Sequence, residues 1–271
     1  MHTLALGLVA AATLGNIGTS PTVPVPPGTP SPSGRNIPED VNLDPRGEAG
    51  YIWSGYTPQN PGQPLAWKPR EGDIVLMTSP DRGQTIGYGL AGVGHPFHSG
   101  IVVRRSTGEL ALLESGGARD MTVTLSPILG RLNRDDMLAE HRFYWVRRIK
   151  TTIPPDRSAA MTAYAEAQVG KSFVRYSRLA WFYIPGRPAP RPTTVDQERW
   201  FCSEIVAAIL HEGGLVPANS FKPGSLAPDD LFHDRPRHDL SNLYHAPLPW
   251  SMYFSTPPVP GPRHAPYRAR E

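Results

Sequence analysis

The chain has 271 residues, enough for one large domain or two small ones. Its 39% hydrophobic content, with six Trp, ten Tyr and eight Phe, excludes a wholly disordered polymer. A net charge of +3 comes from 27 basic and 24 acidic residues, with no basic run longer than the pairs Arg104–Arg105 and Arg147–Arg148. That dispersal argues against a nucleic-acid partner, which would need charge gathered on one face.

Taken in chain order, residues 1–19 form an apolar leader. The run Leu4 to Leu14 is shorter than the ~20 apolar residues that span a bilayer, and its length suits the apolar segment of a secretory signal. The usual basic start is missing, since the first Lys or Arg is Arg35. On this pattern the expected location is secreted, periplasmic or otherwise associated with the cell envelope. Residues 20–49 are rich in Pro, Thr, Ser and Gly and read as an extended linker with little to bury. Twelve prolines fall between Pro21 and Pro69 and five more follow Ser255. The expected folded domain therefore runs over 50–255, followed by a Pro-rich tail at 256–271.

Within that domain the strands come first. Asp73–Thr78, Gly100–Arg105, Leu110–Ser115, Met121–Leu125 and Phe143–Ile149 are short, rich in β-branched or aromatic residues, and mostly bounded by turn residues. Two helices follow. Ser158–Val169 is Ala-rich, comes after Pro154–Pro155–Asp156 and stops at Gly170. Ser203–Glu212 puts Ile205, Val206, Ile209 and Leu210 on one stripe and ends at Gly213–Gly214. Strands segregated from helices predict an α+β domain.

Cys202 is the single cysteine, so no intramolecular disulfide and no cysteine-based zinc finger can form. It stands at the first turn of the second helix. The unpaired N–H groups there carry partial positive charge, which favours a thiolate and can receive the oxyanion of an attacked carbonyl. The alternative is a buried cysteine acting as a small hydrophobe. A cysteine nucleophile needs a base, and the base needs an orienting acceptor. His98 opens one strand and Glu114 closes the next, with Ser106–Thr107–Gly108 between them as a three-residue hairpin loop. That loop sets Arg105 opposite Glu109. His98 and Glu114 then fall diagonally across the pair on one face of the sheet, and a slip of one residue would separate them. A glutamate that merely caps a strand end is the plainer reading.

The segments GDIVLM (Gly72 to Met77), HSGIVV (His98 to Val103), ELALLES (Glu109 to Ser115), FCSEIV (Phe201 to Val206) and SLAPDDL (Ser225 to Leu231) resemble the permuted papain-like amidases. These form the YiiX/YaeF-type branch of the NlpC peptidase superfamily. The resemblance covers roughly residues 65 to 235, and the order His, Glu, Cys is that of the permuted branch. It implies a circularly permuted papain-like fold, an antiparallel β-sheet or barrel packed against helices. It also implies Cys202 as nucleophile, His98 as general base and Glu114 as the residue that orients His98. The activities it implies are cleavage of amide bonds in cell-wall peptides or acylated amines, and ester or thioester chemistry on lipids. One departure concerns the oxyanion site: related sequences often carry Tyr where this chain has Phe173, with Tyr176 three residues on. The Pro- and Arg-rich segment Trp181 to Arg199 is expected to be a loop beside the substrate cleft.

Other signals compete less well. Gly87 to Gly92 spells GxGxxG, but a strand rather than a helix follows it, so no helix N-terminus awaits a pyrophosphate. His95 and His98 form an HxxH pair interrupted by Pro96. His233, His238 and His245 with Asp234 and Asp239 read as a polar loop. No metal and no cofactor is assigned. Three functional classes remain: a cysteine hydrolase, an acyltransferase resembling the lecithin retinol acyltransferase group, and a tethered binding module without turnover. The expected partner is a small peptide, a peptidoglycan fragment or a lipid or acyl-amide substrate.

Overall fold

The runs IVLMT and FYWVR carry no polar alternation, the pattern of strands covered on both faces. In the computed structural model they are adjacent strands at the centre of an eight-stranded antiparallel sheet. The structure describes residues 40–57, 59–78, 94–116, 121–133, 143–174, 198–217, 226–234 and 239–254, all within the compact unit Ile37–Glu271. The leader, the linker up to residue 39, the glycine-rich 87–92 segment, Tyr176, residues 181–197, His238 and the 256–271 tail lie outside the described residues.

The strands are β1 (Tyr51–Ser54), β2 (Gln63–Ala66), β3 (Ile74–Thr78), β4 (His98–Arg104), β5 (Leu110–Ser115), β6 (Val123–Ser126), β7 (Phe143–Arg147) and β10 (Leu248–Ser251), in the spatial order β2-β1-β10-β7-β3-β4-β5-β6. Two further short strands, β8 (Ser172–Phe173) and β9 (Arg199–Trp200), pair in parallel beside it. The helices are α1 (Ile128–Leu132), α2 (Pro155–Gln168) and α3 (Cys202–Glu212). The architecture is thus α+β, and the large sheet is open, with β2 and β6 at its edges.

Each face of the sheet buries its own core. Ile74, Leu76, Ile101, Val103, Leu113 and Trp145 meet α2 and α3 through Met161, Ile205, Val206 and Ile209. On the other face Val75, Met77, Val102, Leu112, Tyr144 and Val146 meet Trp67, Trp250 and the α1 residues Ile128, Leu129 and Leu132. Helix α3 is buried from Cys202 to Leu210, and each of its aliphatic side chains contributes about 2 kcal/mol of transfer free energy. Helix α2 begins at Pro155, ahead of the predicted Ser158, because proline is preorganised for a first helical turn. Its stop at Gly170 is as expected: that glycine has φ +83°, where a side chain would be strained. Among the described residues no helix is long and apolar enough to cross a membrane.

Three strands of the large sheet were not visible in the sequence, nor were the two-residue strands β8 and β9. Proline conceals two of the three. Pro64 sits on the edge strand β2, where a missing N–H costs nothing. Pro249 sits in β10 beyond the end of the β1 ladder, which covers only Trp250 and Ser251. The third, β1, has only four residues. The folded body also begins earlier than the expected linker boundary at residue 49. The N–H of Ile128 donates to Asn42 Oδ1 at 2.9 Å and that of Leu129 to Asn42 O at 2.9 Å. Helix α1 lacks a capping side chain of its own, so Asn42 supplies the acceptors its first turn needs. Val41 and Leu43 pack on the same core, and Ala49 is part of it.

The Gly72–Asp73 step has a structural explanation. Asp73 is fully buried; its Oδ2 accepts from Trp67 Nε1 at 3.0 Å and Arg70 N at 3.1 Å, and its Oδ1 accepts from Ile149 N at 2.9 Å. The carboxylate therefore ties the start of β3 to the segment before it and to the chain leaving β7. An unpaired buried donor costs ~1–3 kcal/mol, and Asp73→Ala would leave three. We expect a loss of about 3 kcal/mol or more, read as a lower urea midpoint at unchanged slope. A loss under ~1 kcal/mol would contradict this role.

Candidate active site

The β4–β5 hairpin carries two of the predicted residues. Its loop closes with Arg105 N donating to Glu109 O at 2.7 Å and Gly108 N to Arg105 O at 2.8 Å, with Gly108 at φ +90°. The ladder then pairs Arg104 with Leu110 and Gly100 with Glu114, the register expected from a three-residue loop. His98 lies two residues before Gly100, on the face of the sheet that Glu114 occupies. Its Nε2 is 2.8 Å from Glu114 Oε2. Gly100 leaves no side chain between them.

Glu114 is the buried hinge of the group. Its side chain is 1% exposed, as is that of Arg131 on α1. Arg131 Nη2 donates to Glu114 Oε2 at 2.8 Å and Arg131 Nε donates to Oε1. Burial alone would raise the carboxyl pKa, but the Arg131 charge, followed by the His98 hydrogen bond, outweighs it. Glu114 is held well below the usual carboxylate range. Ionised, it accepts only, so His98 Nε2–H is the donor.

The other half of the site is set by the residue next to Glu114. Ser115 points to the opposite face, and its Oγ donates to Trp200 O at 2.8 Å; Val174 N donates to the same carbonyl at 3.1 Å. Trp200 Nε1 is anchored on Gln168 Oε1 at 3.1 Å. Phe201 N then donates to Glu204 Oε2 at 3.2 Å, and Cys202 opens α3. Adjacent residues of β5 therefore hold the two halves of the site, one through each face. The Cys202 side chain hydrogen-bonds His98. Burial of the ring opposes its protonation, but the charge and hydrogen bond of Cys202, with those of Glu114, outweigh that cost. The His98 pKa rises from its ordinary 6.5 to about 9. Cys202 is 1% exposed while the His98 side chain keeps 19%, so solvent meets the group at the imidazole.

The segment SLAPDDL also acts on this region through structure. Ser203 Oγ donates to Leu226 O at 2.5 Å, Ala227 N to Asp230 Oδ2 at 2.9 Å, and Gly94 N to Asp229 Oδ2 at 3.3 Å. It joins the start of α3 to the chain approaching His98. Phe173 packs its ring 5.8 Å from that of Phe201, against Gly116, where a Cβ would come within 2.3 Å of it. It offers the site a wall and no hydroxyl. The weaker candidates are placed elsewhere: His95 Nδ1 meets Thr78 Oγ1, Asp234 pairs with Arg147, and Asp239 Oδ1 accepts from Ser241 N at 2.8 Å. Among the described residues no three His, Cys, Asp or Glu side chains gather as a metal site would require.

Arg131 is the site residue that sequence reasoning missed. Its one visible sign is a lone charge inside the apolar stretch ILGRL, whose helix is too short for a periodic pattern.

No family model matches the chain, and no curated protein matches it either. Among solved structures it is similar to the metalloprotein yiiX from Escherichia coli O157:H7, at 20% identity over 55% of this chain and 69% of that one, with a TM-score of 0.38.

Because the pKa of Glu114 is lowered on folding, its stabilisation is fully present above the ordinary 4.5 and fades as pH falls below that value. The stability gap between the wild type and Glu114→Gln should be widest near neutral pH and narrow progressively below about pH 4.5. Urea midpoints across that range test it; a gap independent of pH would remove the ionised carboxylate from the account.

Proposed function

We propose that the chain is a cysteine hydrolase on a permuted papain-like frame, with Cys202 as nucleophile, His98 as general base and Glu114 orienting the imidazole. The observation that carries this reading is the continuous contact from the Cys202 side chain through His98 to a buried carboxylate, at the first turn of a buried helix. A cysteine serving only as core packing would not need a histidine whose second nitrogen is spoken for by an ionised glutamate.

In this mechanism His98 takes the thiol proton, and the partial positive charge of the α3 N-terminus supports the thiolate. The sulfur attacks an acyl carbon. A C–S bond forms, and the oxyanion meets first-turn N–H groups, which have no acceptor within the helix. The C–N or C–O bond then breaks as His98 returns its proton to the leaving amine or alcohol. Water, deprotonated by His98, attacks the thioester and releases the acid, and the proton goes back to sulfur. The substrate is an amide or ester, in a cell-wall peptide or an acylated amine or lipid, and no cofactor enters any step. An alcohol or amine acceptor in place of water would make the same residues an acyltransferase.

The test is to incubate the protein with an activated acyl ester, quench in acid and weigh the intact chain. We expect one acyl adduct on Cys202, removable by hydroxylamine and absent in Cys202→Ala. His98→Ala should slow its formation on the order of 10²-fold or more. Adding an acceptor and analysing products separates hydrolysis from transfer. No adduct, together with alkylation of Cys202 only in denaturant, would overturn the enzyme and leave a binding module.

A further inference from the structure

We propose that Arg131 is a positioning residue that fixes the tautomer of His98: its guanidinium fork holds the Glu114 carboxylate so that one oxygen always faces His98 Nε2 as an acceptor. The catalytic consequence rests on the Cys202–His98–Glu114 reading; the positioning itself does not.

Stability does not account for the pair. Taking two ions out of water costs several kcal/mol each, and apolar replacements of matched volume often do as well or better. Arg131 and Glu114 are both 1% exposed, so some other gain is needed. It lies in how the oxygens are assigned. Arg131 Nε takes Oε1 and Nη2 takes Oε2 at 2.8 Å, which fixes the plane of the carboxylate. Oε2 is then left in line with His98 Nε2 at 2.8 Å.

The chemistry of the alternative shows why this matters. Without a cation beside it, a carboxyl so deeply buried would tend to take up a proton. A protonated Glu114 would donate to His98 Nε2 and drive the ring proton to Nδ1. The nitrogen facing Cys202 would then hold a hydrogen and could accept nothing. Arginine does not deprotonate in proteins, so it keeps Glu114 an acceptor across the working pH range and leaves the Nδ1 lone pair for the thiol.

The placement of the guanidinium is over-determined. Nη2 also reaches Met77 Sδ at 3.8 Å. Met77 is the cross-strand partner of both His98 and Tyr144, and the Tyr144 hydroxyl interacts with Arg131 as well. The backbone of α1 is pinned by Asn42. The group therefore sits beneath the strand that bears His98 and cannot swing away.

The experiment follows the tautomer of His98 by 15N NMR in the Cys202→Ala protein, where loss of the Cys202 thiol removes part of what raises the ring's pKa and allows the neutral ring to be populated. Comparison with His98→Gln identifies the signal among the nine histidines. We expect a pure Nε2–H form, a mixture in Arg131→Gln, and only partial recovery in Arg131→Lys, which restores the charge without the fork. With Cys202 present, Arg131→Gln should slow acylation on the order of 10²-fold. If Arg131→Gln does not fold, Arg131→Met with Glu114→Gln, which buries no net charge, takes its place and should also give a mixture. A pure Nε2–H tautomer in a folded neutral variant overturns the proposal. The two readings fail separately: a tautomer that shifts in a chain that never acylates removes only the enzyme, and rapid acylation with an unshifted tautomer removes only the role of Arg131.

Discussion

A carboxylate with almost no access to water must be paired, and the pairing of Glu114 dictates much of what surrounds it. The strand that carries it is covered on both faces, so its partners have to come from other elements. One is His98, brought alongside by the hairpin register; the other is Arg131, delivered by a short helix on the same face. Because side chains alternate along a strand, a slip of one residue would turn Glu114 into the opposite core and leave Arg131 buried without a counter-charge. The register is therefore held from two directions, by the turn at Gly108 and by the cost of an unpaired buried ion.

Alternation also explains how one strand serves both halves of the site. Glu114 faces α1 and His98, whereas Ser115 faces the opposite side and holds the Trp200 carbonyl two residues before Cys202. The nucleophile-bearing helix and the imidazole pack through different layers, yet both are referred to consecutive residues of the same backbone. Their relative position is then as rigid as a strand, which suits chemistry that loses about a hundredfold in rate for an ångström of misplacement.

With no disulfide to staple it, the chain closes its long-range junctions with polar side chains. Asp73 fastens the start of β3 to Trp67 and Ile149, Asn42 caps α1 from 86 residues upstream, and Asp229, Asp230 and Ser203 join the start of α3 to the approach to His98. The carboxylates and Asn42 accept from backbone or ring N–H groups, and Ser203 donates to the Leu226 carbonyl, so polar groups at these junctions keep partners away from bulk water. Arg147, fully buried on β7, does the same for the Leu231 carbonyl at 2.9 Å. These contacts are directional where the apolar cores are not, so they select one arrangement among the many that would bury the same surface.

What the sequence by itself determined is what depends on near neighbours. A three-residue loop with a glycine that takes positive φ sets the β4–β5 register, and with it the face shared by His98 and Glu114. An apolar stripe ending in two glycines defines α3 and puts Cys202 at its start. Runs of β-branched and aromatic residues mark the central strands. The tertiary structure alone decided the rest, because it depends on residues far apart in the chain. Pro64 and Pro249 hide strands whose prolines are tolerated only by where they sit in the sheet. Residues 41–49 read as linker until their polar groups find α1. Arg131 lies on a helix of five residues, too short to show a period, and its importance comes from a carboxylate seventeen residues away that only the folded sheet places beside it. Local geometry is written in spacing and turn residues, whereas the pairing of buried charges is a property of the packed interior.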